Sequence, residues 1–190
     1  VGELYAPSRD QEKAKEYLAT ALSELGCTVD DLSAHLSIDC GDSPTSIAEA
    51  SFYQEQWRQV LGIEVAVNSM ITKQGSQNRK TGNYVMSITG WGPDYNDPNT
   101  FLDMWVTDGG NNQTGFSNER YDELIDLAAK ETDLEKRESY FIECEQIIAD
   151  QLPIGPSFWR APSYACSDKI KGGMHRSTFQ DINAVYVKLS

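Results

Sequence analysis

A chain of 190 residues with 39% hydrophobic and 24% charged residues has the composition of a soluble globule, long enough to bury a substantial core without disulfides or metals. Its 29 acidic residues outnumber 16 basic ones, giving a formal charge of −13. No basic patch can dominate such a field, so DNA, RNA and anionic lipid are excluded as principal partners. The first predicted element is a helix in "SRDQEKAKEYLATALSELG", opened by a Ser8–Gln11 capping box and closed by Gly26, with Ala14, Tyr17, Leu18, Ala21, Leu22 and Leu25 on one stripe. "HLSIDC" alternates Leu36, Ile38 and Cys40 as a strand does.

The stretch "GDSPTSIAEASFYQEQWRQVLG" predicts a helix with Ser43 as N-cap, Pro44 in its first turn, a stripe of Ile47, Ala50, Trp57, Val60 and Leu61, and Gly62 as its stop. "IEVAV" then alternates again, so residues 36–67 read as a strand–helix–strand unit with parallel pairing. "TKQGSQNRKTGN" reads as polar loop or frayed helix, and "YVMSIT" (84–89) as a third strand. That strand leads into "GWGPDYNDPNTFLDMW". Two further helices follow, one capped by Ser117 with Tyr121, Leu124, Ile125 and Ala128 inward, the other opened by a Thr132–Glu135 capping box. The second carries Leu134, Arg137, Tyr140, Phe141, Cys144, Ile147 and Ile148 on one side and is stopped by Pro153. Beyond it the chain is punctuated by Pro and Gly, with short β-like runs such as "AVYVKL".

Cys27, Cys40, Cys144 and Cys166 show no C-x-x-C spacing and the histidines are only His35 and His175, which argues against a structural zinc site. The even count permits disulfides, and equally four separate thiols; Cys144, on an apolar helical face, reads as a buried free thiol. No initiator methionine, basic leader or long apolar run is present, which suggests a mature chain or an excised piece that does not span a membrane. Asn112-Gln113-Thr114 matches a glycosylation triplet that is common by chance.

Four chemical readings compete in these residues. Gly41-Asp42-Ser43-Pro44-Thr45 lies where a nucleophile elbow would, with His175 as a nominal partner, but Thr45 stands where the elbow needs glycine and Pro44 makes Ser43 a plain cap. Asp94 to Asn99 begins like a calcium loop and fails at Pro98, Asn99 and Trp105. Asp94 and Asp97 form a candidate acid–base pair for glycoside hydrolysis, against the duller reading of turn caps. Finally, Asp94 beside Trp91 and Tyr95 at a strand end suits a binding loop, the carboxylate accepting from a ligand ammonium while the rings cover its apolar part. Its dull alternative makes Trp91 core and Asp94 a turn residue.

"LGIEV", "GNYVMSITGWGPDYNDPNTFLD" and "NERYDELIDLAAKETDLEKRESYFIECEQIIADQLPIGPSF" together resemble the C-terminal lobe of extracellular solute-binding proteins of the oligopeptide/dipeptide-binding family, which serve ABC importers. The resemblance implies an α/β fold, a mixed sheet with flanking helices, as one lobe (1–190) of a two-lobed, type II periplasmic-binding-protein clamp whose other lobe is not in this chain. It implies a monomeric, non-catalytic protein without cofactor or nucleic-acid partner, outside the cytoplasm and membrane-anchored when complete. That protein would pass captured peptides to permease subunits. By the same resemblance Asp94 would hold the peptide's α-ammonium, while Trp91, the backbone of Gly90 and Gly92, and Tyr95 would line the cleft. Asp97 and Pro98 would shape the turn. Gly92 stands where some members carry a disulfide-forming cysteine, so that bridge is not implied here. No residue in 154–190 can be matched to an anchor for the peptide's far end, which leaves sugar- or metal-chelate-binding members of the same fold, and a Ser43 hydrolase, as alternatives.

Overall fold

The computed structural model describes residues 10–159, 165–172, 175–176, 182–183 and 187–188. The chain divides into two compact units, Val1–Gly90 and Trp91–Ser190.

In the first unit, α1 (Gln11–Leu25) begins at Asp10, whose carboxylate accepts from the Lys13 N–H at 2.9 Å. The predicted Ser8 cap lies outside the described residues. Gly26 ends the helix at φ 64°, the left-handed conformation glycine adopts without a Cβ clash. Leu18 packs on the core, whereas Tyr17 and Leu25 face solvent. A short helix absent from the sequence reading, α2 (Val29–Ser33), is held by a reciprocal cap between Thr28 and Asp31. Five residues are too few to print a periodic pattern.

A parallel sheet follows in the order β2–β1–β3, built from β1 (Ser37–Gly41), β2 (Ala66–Met70) and β3 (Met86–Ser87). Because β1 is central, Ile38, Asp39 and Cys40 are all buried, and the alternation expected from "HLSIDC" is lost. Ile38 and Cys40 join Ala50, Ile63 and Val65 in one core cluster. Asp39 instead accepts from the amides of Asn68 (3.2 Å) and Asn78 (3.1 Å). The crossover helix α3 (Pro44–Leu61) has the predicted Ser43 cap, first-turn proline and Gly62 stop at φ 71°. The second strand starts three residues later than "IEVAV" suggested, because the ladder with β1 opens at Ala66 opposite Ser37; Ile63 and Val65 are core residues ahead of it. The polar stretch is a helix, α4 (Thr72–Thr81), closed by Gly82 at φ 68°. The third strand pairs only at Met86 and Ser87, shorter than 84–89.

The second unit contains α5 (Asn99–Leu102), a 3-10 turn (Asp103–Trp105), α6 (Glu119–Lys130), α7 (Leu134–Gln151) and the antiparallel pair β4 (His175–Arg176) and β5 (Ile182–Asn183). Both helix caps sit one residue beyond the predicted serine and threonine. Asn118 caps α6 by accepting from the Tyr121 N–H at 2.9 Å, and Asp133 caps α7 by accepting from the Lys136 N–H at 3.0 Å. Tyr121, Leu124, Ile125 and Ala128 bury as predicted and meet Leu102, Phe141, Cys144 and Ile148 in one core. Leu134, by contrast, is exposed at the first turn of α7. The Tyr121 hydroxyl donates to the Leu102 carbonyl at 2.6 Å, which satisfies the one polar group this ring brings inside. Burial pushes the Cys144 thiol up to about 12. All four cysteines are free, with Cys40 and Cys144 buried and Cys166 exposed. Leu152, at φ 47°, ends α7 just before Pro153. "AVYVKL" falls largely outside the described residues. No described helix is long and apolar enough to cross a membrane.

Candidate functional site

The 91–103 stretch is ordered by a dense set of local hydrogen bonds, as Asp, Asn, Pro and Thr in close succession favour. The Asp97 N–H donates to the Tyr95 carbonyl (3.0 Å) and its own carbonyl accepts from the Thr100 N–H (3.2 Å). One Asp97 carboxylate oxygen accepts from the Asn99 N–H at 2.9 Å, closing an Asx turn. Thr100 is buried, and its hydroxyl oxygen accepts from the Asp94 N–H at 3.0 Å.

The three carboxylates of this stretch meet different fates. Asp97 is gripped by Arg137 of α7, whose two terminal nitrogens donate to its two oxygens at 2.7 and 2.9 Å. Asp103 accepts from the Tyr95 hydroxyl (3.2 Å) and the Asn99 amide (3.1 Å), and that amide also donates to the Tyr95 oxygen at 2.9 Å. The Asp94 side chain is exposed and, among the described residues, takes part in no hydrogen bond or ion pair. Asp94 and Asp97 therefore do not form a free carboxylate pair.

Hydrogen bonding by Arg137 holds the Asp97 carboxyl below the usual carboxylate range, and Asp97 raises Arg137 in turn. A depressed folded-state value stabilises the fold fully above the unfolded carboxylate pKa near ~3.9 and is lost as pH falls through the lower folded value. Wild type should therefore exceed Asp97→Asn in urea resistance at pH 6, and the difference should shrink as pH falls below about 4. A difference that stays constant down to pH 2 would refute the assignment.

Of the predicted site residues, Trp91, Gly92, Asp94 and Tyr95 lie in the second unit and Gly90 is the last residue of the first. Trp91 and Tyr95 are 41% and 43% exposed, so Trp91 is not a core ring. Gly90 and Gly92 are exposed, and a Cβ built on either would meet nothing within 4 Å. Among the described residues, no hydrogen bond engages the main chain of Gly90, Trp91 or Gly92. A neighbouring aromatic pair, Phe101 and Trp159, meets edge to face at 5.4 Å between centroids.

Ser43 has the extended backbone of an N-cap (φ −73°, ψ 148°) and accepts from the Ser46 N–H, without the strained backbone of a nucleophile elbow. Asn112 is spent inside its own turn, its amide donating to the carbonyls of Val106 (3.0 Å) and Phe116 (2.7 Å), which makes it a loop brace. In the sequence Arg137 stands out only as a member of the helical stripe of α7. An arginine on an otherwise apolar face needs an acidic partner, and that requirement was the available signal.

The small parallel sheet with flanking helices is a mixed α/β fold of the periplasmic-binding-protein type. A family model described as bacterial extracellular solute-binding proteins, family 5 Middle, matches residues 2–113, and the chain belongs to that family. It is similar to the oligopeptide-binding protein OppA of Bacillus subtilis, 33% identical over 176 residues that cover 88% of this chain and 31% of the relative. The crystal structure of an oligopeptide ABC transporter substrate-binding domain from Bacillus anthracis matches with a TM-score of 0.82 at 26% identity, over 96% of this chain and 35% of that one. The peptide-bound OppA of Listeria monocytogenes matches at 0.78 and 28% identity, over 95% of this chain and 34% of that one. The chain thus spans about a third of the length of these relatives.

Proposed function

We propose that residues 1–190 form the C-terminal ligand-binding lobe of the substrate-binding component of an ABC importer. In this reading the complete protein is a non-catalytic monomer held outside the cytoplasm at the membrane. It captures peptides in a cleft closed by a second lobe and delivers them to permease subunits. The observation that carries the reading is the division of labour among the loop carboxylates. Asp97 and Asp103 are occupied by partners within the fold, while the exposed Asp94 carboxylate has no partner among the described residues. A carboxylate so placed accepts a ligand ammonium in a charge-assisted hydrogen bond that strengthens when closure excludes water. Two residues before it, the bare main chain at Gly92 leaves room for an extended peptide to pair with backbone groups. The names of the relatives, which bind oligopeptides, agree with this assignment.

The test is calorimetry on the complete protein with a mixed peptide pool and with the same pool N-acetylated. Tight binding of the free-amine pool and much weaker, still measurable binding of the acetylated pool are the expected results. Equal affinity for the two pools would overturn the ammonium anchor. A second reading is favoured by the exposed rings of Trp91 and Tyr95, which suit the faces of a pyranose. A sugar that binds where neither peptide pool does would establish it.

A further inference from the structure

We propose that Arg137 is the positioning residue of the binding loop: by clamping Asp97 against the α6–α7 pair it fixes where Asp94 presents its carboxylate. The inference rests on the ammonium-binding reading of Asp94.

Arg137 is held independently of the loop. Its Nε donates to the Ala128 carbonyl of α6 at 3.0 Å, and its guanidinium lies 4.6 Å from the centroid of the Phe141 ring, a core residue of α7. The guanidinium plane is thereby set before the loop is considered, and its two terminal nitrogens meet both Asp97 oxygens across 40 residues of sequence. A lysine ammonium cannot reproduce this fork, because it lacks the planar donor geometry that spans a carboxylate while a third nitrogen reaches elsewhere.

From Asp97 the constraint passes along the chain in short steps. Its carbonyl takes the Thr100 N–H, and the buried Thr100 hydroxyl takes the Asp94 N–H. Between residues, each link from Phe141 and Ala128 to the Asp94 backbone is thus a hydrogen bond or a ring contact, while the Asp94 side chain has no partner among the described residues. Arg137 also compensates the charge of Asp97, which removes that carboxylate as a competing anchor beside Asp94.

The deciding experiment compares wild type, Arg137→Lys, Asp94→Asn and the double variant of the complete protein against the free-amine and N-acetylated peptide pools, with amide hydrogen exchange on each. Arg137→Lys should weaken binding of the free-amine pool about 10-fold, in line with one lost bidentate charge-assisted contact. It should leave binding of the acetylated pool unchanged. The double variant should bind no more weakly than Asp94→Asn alone, since both act on one anchor. Amides 92–100 should exchange faster in Arg137→Lys while α6 and α7 stay protected. Equal loss for both pools, deprotection of α6 and α7, or additive losses in the double variant would overturn the proposal. If neither pool binds wild type, the peptide reading fails by itself and exchange then decides: unchanged exchange at 92–100 overturns the clamp, and faster exchange there alone sustains it.

Discussion

Asp94→Asn should weaken binding of a free-amine peptide by the complete protein about 100-fold, while affinity for its N-acetylated form should barely change. The magnitude follows from chemistry. Truncating one partner of a desolvated, hydrogen-bonded charge pair costs about 2–5 kcal/mol, because the other charge is left without its counter-ion. An asparagine keeps the shape and the acceptor oxygen but loses the charge, so the low end of that range is expected, and ~2.7 kcal/mol corresponds to 100-fold. The substitution should not disturb the loop, since Asp94 contributes to loop structure through its N–H to Thr100 and, among the described residues, its carboxylate takes part in no hydrogen bond. Equal circular dichroism and thermal midpoints for wild type and variant would verify that. A variant that binds free-amine peptide as tightly as wild type would remove Asp94 from the site and leave the sugar reading standing.

Much of this architecture was legible because its signals are local. The glycines that end α1 and α3 are in the left-handed conformation that the sequence pattern required. The Tyr121, Leu124, Ile125, Ala128 stripe is buried as its spacing demanded. Errors arose where tertiary context decided. The central position of β1 buries Asp39 on a strand that read as half-exposed, and its two amide partners come from residues 29 and 39 positions away. The caps of α6 and α7 each moved by one residue because an Asn or Asp stood next to the predicted Ser or Thr and accepted the bond instead. The loop shows the same division. Its composition marked it as special and made Asp97 a turn residue, but only the fold brings Arg137 to Asp97 and so separates the occupied carboxylates from Asp94.

Leu124→Ala should strongly destabilise the second unit. Leu124 is completely buried, in a cluster with Tyr121, Phe141, Cys144 and Ile148. Truncation there removes the transfer free energy of the lost atoms and leaves a cavity that neighbouring helices cannot fill, for a cost of about 3–4 kcal/mol. In a unit of this size that corresponds to a fall in thermal midpoint of roughly 10 °C or more. Leu134→Ala is the matched control: its side chain is 78% exposed, so the same chemical truncation should change stability by less than about 0.5 kcal/mol. Thermal melts of the two variants followed by far-ultraviolet circular dichroism would test the contrast, and similar losses for both would show that this cluster is not the core of the unit. The effect should reach the binding loop as well. Leu102, at the end of the loop's helix α5, and Phe141, beneath the Arg137 guanidinium, belong to the same cluster as Leu124. Loosening that cluster frees the Asp97 clamp and the Tyr121–Leu102 bond together, so amides 92–100 in Leu124→Ala should lose exchange protection along with α6 and α7. Arg137→Lys should expose the loop alone, and comparing the two variants separates the clamp from the core that carries it.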